Sequence, residues 1–594
     1  MKLSKIYSNF KDVFETIDFL PGLNIVIGEI HNPQTKHTDA HNLGKTKLSE
    51  LIDFCLLKGR DNNFFLFEFF SIFEKFIFFL ELKLNDGSYL TVRRSVSKNS
   101  KISIKRHKQQ KLDLNDAPDS AWDHLNIPID RALTLIDSYL NLLIIDSWGY
   151  RNAVAYCLRG QNDYSDIFQL DKFRGSHLYW KPYLGHLLGF NSTNLSENYK
   201  LKAQIEKVAV EIVDLRFSID ALENDQEEIL KTLLDTNKKQ SLILRTQLEN
   251  LNFSKSDGDI LEELTSNIDL EILELGKSKY YVLSRLRKLE KAQEIGSAQF
   301  DIDDTALLFQ QAGILFGDGV RKSYSQLIEF HNQLTTERTQ IIESQMSDLK
   351  SQIIEISDRL AELHNKKSSS ISFLNTSDIL LKYRETTDRL ITLESTIQTI
   401  QNKLTTNQKI KDLEQTQRDL TNQKNTIVEA IRVNREQVIH DDYSIYSKIK
   451  DHFTTYVFDV LGMTGVLKTE QNKEGNLSYF AGILNEKGEV TGQSKGHSYQ
   501  KILCIGFDLS VISAYSDKNF IRFLYHDGGL ETLDDHKKIE FIEFIRTTSA
   551  LFEVQYILTL IDSDLPKNFK FPDHEIILTL SDDDNGRLFK MQAW

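Results

Sequence analysis

Gly44-Lys45-Thr46 is the stretch of this 594-residue sequence whose chemistry is easiest to name. Glycine lets backbone N–H groups approach an anion, lysine neutralises phosphate, and a hydroxyl ligates a divalent cation. The usual spacing, G-x-x-x-x-G-K-[ST], would require a glycine where Asp39 stands. The nearest upstream glycine is Gly28, with 15 residues between it and Gly44. The stretch therefore reads as a phosphate loop lengthened by a polar insert, between the strand "NIVIG" and the helix "KTKLSELIDF". Its nucleotide-binding candidates are Asn42, Gly44, Lys45, Thr46 and Lys47. The insert also holds His31, His37, Asp39 and His41, but their spacing matches no structural zinc pattern.

A phosphate loop makes demands elsewhere. The Thr46 hydroxyl needs a carboxylate from a second strand to share Mg²⁺, and "FIRFLYHD" supplies an apolar strand ending at Asp527. A loop capping a partner's nucleotide needs a hydroxyl and a glycine at a helix start. Ser494 and Gly496, in "SKGHSYQKILCIGFDL", provide that. The usual base would be a glutamate directly after the aspartate, yet Gly528 stands there. Glu531 is the nearest substitute. Shifting the register by one would place His526 beside the metal, and histidine is a poor Mg²⁺ ligand.

These residues need a scaffold, and proline maps it. The seven prolines stand at 21, 33, 118, 128, 182, 566 and 572, leaving 183–565 free of helix breakers. Within that span apolar residues recur in a 4-3 rhythm, which predicts a coiled coil. One seam runs from Leu201 to Leu233, a second from Ile342 to Leu363, and a third from Leu390 to Leu404. Breaks at 252–259 and 368–378 read as reversals, with the main one at 368–378 turning the second seam back on the third. An elbow module is expected at 300–322. Residues 1–195 and 441–594 then form N- and C-terminal lobes, and an antiparallel arm over 196–440 brings them into one α/β head. Strands are expected over 23–27, 76–84, 90–96 and 101–105.

The net charge of −14 and the scattered Cys55, Cys157 and Cys504 fit a soluble protein of a reducing, cytoplasmic compartment. No secretory signal is legible at the N-terminus. The run Phe64–Leu84 carries five charges, too many for a spanning helix, and reads as a core helix followed by a strand.

In order, these elements resemble the SMC/RecN-like coiled-coil ABC ATPases. The chain is most similar to the short SMC-like ATPases of bacterial three-component, Lamassu-type defence systems. The resemblance lies in "GLNIVIGE" and "NLGKTKLSELIDF", in "WGYRNAVAYCLRGQNDYSDIF" and "WKPYLGHLLGF", and in "LYHDGGLETLD". It implies an ABC-type ATPase head with a long antiparallel coiled-coil insertion. ATP and Mg²⁺ would be held by Thr46, Asp527 and a Q-loop glutamine, for which Gln161 is the candidate and Gln169 the rival. It also implies head homodimers, double-stranded DNA as a ligand, an effector nuclease with a small accessory subunit, and no membrane. A chromosome-repair ATPase and a nucleotide-binding scaffold with little hydrolysis are the alternatives.

Residues 93–111 hold eight Lys/Arg and no acid. Arg93, Arg94, Lys101, Lys105, Arg106 and Lys108 are the candidates for DNA phosphates. A solvated hairpin with edge-protecting lysines explains the run equally well.

Overall fold

The computed structural model describes residues 1–29, 43–145, 148–173, 175, 177–218, 224–249, 255–296, 340–366, 378–492, 496–531, 533–583 and 585–591. The chain divides into two compact units, Met1–Gln204 with Leu420–Trp594, and Ile205–Asp419.

The first unit begins with β1 (Lys2–Ser8), β2 (Ile17–Asp18) and β3 (Leu23–Glu29), then α1 (Lys45–Cys55). The phenylalanine-rich run makes two short helices, α2 (Phe65–Glu68) and α3 (Phe70–Phe73), before β4 (Ile77–Lys83). The expected single helix is thus two turns, with Phe69 at the break outside helical geometry. Next come β5 (Tyr89–Ser95), β6 (Lys101–His107), β7 (His124–Pro128), α4 (Ile129–Leu140), α5 (Tyr150–Cys157), β8 (Leu158–Arg159) and α6 (Lys181–Leu187). β1, β2 and β4–β7 form an antiparallel sheet in the order β2-β1-β4-β5-β6-β7.

The arm comprises α7 (Ser192–Ser218), α8 (Asn224–Glu249), α9 (Lys255–Gly296), α10 (340–366) and α11 (Asp378–His440). Of its apolar seams, Leu201 and Ile212 of the first, Ile342, Leu349 and Leu363 of the second and Ile400 of the third are buried, whereas Ile229 and Leu233, expected to continue the first, are 65% and 44% exposed. Within the second unit, Glu211 pairs with Lys409, Glu227 with Lys411, and Arg245 with Glu394. Arg359 of α10 meets Glu271 of α9 at 2.9 Å. The second seam therefore faces α9 and the third faces α8, which corrects the expected pairing of those two seams with each other. Heptad spacing marks a sheltered face but does not say which helix covers it. The stretches 300–322 and 368–377 lie outside the described residues.

After the arm come α12 (Ile445–Leu461), the hairpin β9 (Thr464–Gln471) and β10 (Leu477–Leu484), and α13 (His497–Ala514). β11 (Phe523–Asp527), α14 (Asp535–Leu551), β12 (Gln555–Ile561) and β13 (Ile576–Ser581) complete the unit. α13 is buried continuously from Lys501 to Ala514, as expected of a helix apolar on all sides. Among the described residues a second sheet has the order β13-β3-β12-β11-β8, all parallel. β3 and β8 precede the arm in sequence and the other three strands follow it, so the two lobes share one sheet. Both faces of β3 are buried, which is why "LNIVIG" reads, but for Asn24, as an apolar run rather than an alternating one.

Candidate functional site

Every strand of the parallel sheet points its C-terminal end toward the same edge, where open α/β sheets bind ligands. The insert after β3 begins and ends in one place: a Cβ on Gly28 would lie 2.8 Å from Leu43 Cδ1. Gly44 follows with φ 98°, a left-handed conformation, and a Cβ there would lie 2.7 Å from Leu588 Cβ. Leu588 N–H donates to Leu43 O at 3.2 Å, so the segment after β13 seats the phosphate-loop turn. Glycine is required here twice over, by backbone angle and by space.

Lys45 opens α1 and is 8% exposed. Burial pulls its ammonium below the usual lysine range, while the charges of Asp527, Asp564 and Glu531 act to hold it up. A lysine at a helix N-terminus facing three carboxylates suits a ligand that brings both phosphate and a cation. Thr46 Oγ1 donates to Asp527 Oδ2 at 2.5 Å, and Thr559 Oγ1 donates to the other carboxylate oxygen. Tyr525 Oη donates to Lys45 O at 2.9 Å, tying β11 to the start of α1. Neighbouring strand residues point to opposite faces. Asp527 accordingly faces Thr46, while His526 Nε2 faces Asp508 Oδ2 at 3.2 Å. This register sets the carboxylate, not the imidazole, beside the threonine. The hydroxyl, the carboxylate and the left-handed glycine together fit a Mg²⁺–nucleotide. Lys47 instead pairs with Glu50 on its own helix at 3.0 Å.

Gly528 has φ +74°, so a glutamate there would be strained. A Cβ at this position would lie 2.7 Å from Glu531 Oε1. The Glu531 carboxylate thus occupies the space beside Asp527 that a side chain at 528 would enter. Asp564, just past β12, has its carboxyl raised by burial and by the neighbouring charge of Glu531.

Gln161 is exposed at the start of a 3₁₀ turn, Gln161–Tyr164, directly after β8. Gln169 spends its amide on Phe173 O at 3.3 Å. Gly496 stands at the N-cap of α13, while Asn42 and Ser494 lie outside the described residues.

Sequence reasoning passed over a buried network behind the site. Arg159, fully enclosed, donates to both oxygens of Asp508 and to the carbonyls of Asp163 and Ile167. The guanidinium and His526 hold the Asp508 carboxyl below its usual range despite burial, and burial lowers His526. The available signal was an aspartate inside the otherwise apolar "ILCIGFDLSVI": buried acids require a partner.

The basic hairpin changes character. Arg94 is 1% exposed and donates to Phe54 O at 2.5 Å and Lys58 O at 2.9 Å, satisfying carbonyls at the end of α1. It is a structural residue and leaves the set of DNA candidates. Arg93 lies over Trp122 at 5.6 Å, Lys105 meets Asp123 at 2.8 Å, and Arg106 meets Asp86. Lys101 and Lys108 are exposed. The acids that neutralise this hairpin come from outside the 93–111 run, so the run itself did not reveal them.

Among the described residues, no helix is long and apolar enough to cross a membrane. Residues 456–593 match a family model described as an uncharacterised protein conserved in bacteria (DUF2326). The chain is similar to the Smc head domain with a coiled coil and joint from Pyrococcus yayanosii, at 12% identity and TM-score 0.33, over 94% of this chain and 92% of that one. It is also similar to the Smc head domain with an extended coiled coil bound to the C-terminal domain of ScpA, from Pyrococcus furiosus. There the identity is 11% and the TM-score 0.35, over 95% and 90% of the two chains. The recombination mediator protein RecF with ATP, in the RecFOR pathway, is similar at 10% identity and TM-score 0.26, over 98% and 95%. No curated protein matches. These TM-scores are too low to carry the fold, which rests on the strand order and on the loop geometry: a parallel α/β head of phosphate-loop type, with a helical arm inserted between its two lobes.

Proposed function

We propose that this chain is an SMC-like ATPase of ABC type that binds ATP with Mg²⁺ in its head. The observation that carries this reading is the Thr46–Asp527 hydrogen bond, beside a buried Lys45 at the end of a parallel sheet. Gly44, Lys45 and the N-terminus of α1 would hold the β- and γ-phosphates; Thr46 and Asp527 would hold Mg²⁺, with Gln161 as its third ligand. When bound, Mg²⁺ neutralises charge on the phosphates. Glu531 accepts a proton from water as the water oxygen bonds to the γ-phosphorus and the bond to the diphosphate leaving group breaks. Lys45→Ala is expected to weaken ATP binding more than about tenfold, the worth of a charge-assisted hydrogen bond. Unchanged affinity by calorimetry would refute the reading.

The finer reading rests on the resemblance. ATP would be sandwiched between two heads, with Ser494 and Gly496 of one capping the nucleotide of the other. The arm would engage double-stranded DNA, and closure would control a partner nuclease and its accessory subunit in defence against phage or plasmid. Turnover measured with and without linear duplex DNA tests it: stimulation supports DNA sensing, and its absence favours a scaffold role.

A further inference from the structure

Glu531 has no regular element of its own. It lies in the segment between β11 and α14, three positions past Gly528, where a flexible side chain would lose entropy to reach one geometry. The usual base is fixed by the strand it follows, so this one needs an anchor. Lys501, on the second turn of α13, supplies it: Nζ lies 2.5 Å from Glu531 Oε2, with the lysine side chain 6% exposed. The same ammonium sits 5.4 Å from the centre of the Tyr164 ring, in the turn that starts at Gln161. A nearly buried ammonium is costly without a counter-charge, so the carboxylate is drawn to this one place. Its other oxygen then lies beside Gly528, where the resemblance expects a glutamate side chain.

The geometry points to Lys501 as the positioning residue for Glu531, replacing through an ion pair the placement that a glutamate at 528 would obtain from its strand. This inference rests on the reading of the head as an ATPase and adds to it a residue whose sequence neighbourhood suggests only a helix core. It also ties the carboxylate to the helix that begins at Gly496 and to the Gln161–Tyr164 turn, so displacement of either element moves the base.

The test compares steady-state ATP hydrolysis by the full chain with Lys501→Met, Lys501→Arg, Glu531→Gln and the Lys501→Met/Glu531→Gln double variant. ATP binding is measured in each. Glu531→Gln is expected to lower kcat about 100-fold, the low end for a general base. Lys501→Met is expected to lower kcat more than about tenfold with KM for ATP within about threefold of wild type. Lys501→Arg restores most of the rate, and the double variant is no slower than Glu531→Gln alone, because both changes remove one unit. A faster or unchanged Lys501→Met, or losses that add in the double variant, overturns the inference. So does a Lys501→Met loss that Lys501→Arg fails to recover. Should Lys501→Met not fold, Lys501→Arg and Glu531→Gln decide: an arginine variant as slow as the glutamine variant refutes positioning by charge. Failure of the underlying reading looks different, since Lys45→Ala would then keep ATP affinity, or the wild-type protein would bind ATP without any turnover.

Discussion

Arg159 and Asp508 share two hydrogen bonds, of 2.7 and 2.9 Å, with both side chains wholly excluded from solvent. One residue ends the strand sequence that precedes the arm; the other lies in the helix that follows it. Asp508→Ala leaves a guanidinium buried without its counter-charge and should cost about 3–5 kcal/mol. Chemical denaturation measures this, and a loss below about 1 kcal/mol would mean the charge finds water or another partner.

The phosphate-loop turn offers a prediction that does not depend on catalysis. Gly44→Ala places a Cβ in a left-handed residue and against Leu588. The backbone term alone is about 1–2 kcal/mol. Because the strain falls on the turn itself, ATP affinity should drop by more than the change in global stability accounts for. Equal affinities in the two proteins would show that the turn does not contact the ligand.

Thr46 and Asp527 form one unit in the proposed Mg²⁺ site. Asp527→Asn should retain the ATP affinity measured in EDTA and lose the gain that added Mg²⁺ gives wild type. Thr46→Ala should do the same, and the double variant should add little to either single change. A variant that still shows the full magnesium increment would place the metal elsewhere.

Burial pushes the thiols of Cys55 and Cys504 up to about 12 and raises Cys157 as well. Native protein at pH 8 should therefore react slowly with a thiol reagent, and three thiols should appear on unfolding. The stability consequence has a definite sign. These groups stay protonated in the folded state while the unfolded chain ionises near 9.0, so their contribution is whole below pH 9 and is lost as pH rises toward 12. Rapid native labelling of any of the three would contradict their burial.

On the basic hairpin, Arg94→Ala should destabilise the head by about 1–3 kcal/mol through carbonyls left without a donor. Its effect on DNA binding should not exceed that of a folding defect. Lys101→Glu with Lys108→Glu should leave stability within about 0.5 kcal/mol. If the hairpin meets DNA, that pair also flattens the salt dependence of binding; an unchanged salt slope assigns the run to edge protection.

Much of the head was legible because single-strand patterns reveal burial. "LNIVIG" is apolar but for Asn24 and lies inside a parallel sheet, while "LTVR" alternates apolar and polar residues and lies in the antiparallel one. The GKT helix and the strand ending in Asp527 meet as their chemistry required. What sequence concealed was pairing at a distance. Heptads mark one face of α10 without naming α9 as its cover. A basic run reads as exposed, yet Arg94 inside it is enclosed because α1 leaves carbonyls that need a donor. Lys501 and Glu531 are 30 positions apart, and neither residue type predicts the other.

The place of β3 in its sheet also constrains biosynthesis. Its two neighbours, β12 and β13, both follow the arm, and Leu23 waits for a partner 533 positions later, Tyr556. At ribosomal speeds of about 5–20 residues per second, that wait is roughly half a minute to two minutes. For that interval a strand of asparagine, isoleucine and valine has bare hydrogen-bonding edges, the form most prone to pair with another chain. Yield of native protein should therefore depend on whatever shields the nascent N-terminal lobe, and a long arm lengthens that exposure in proportion to its residues.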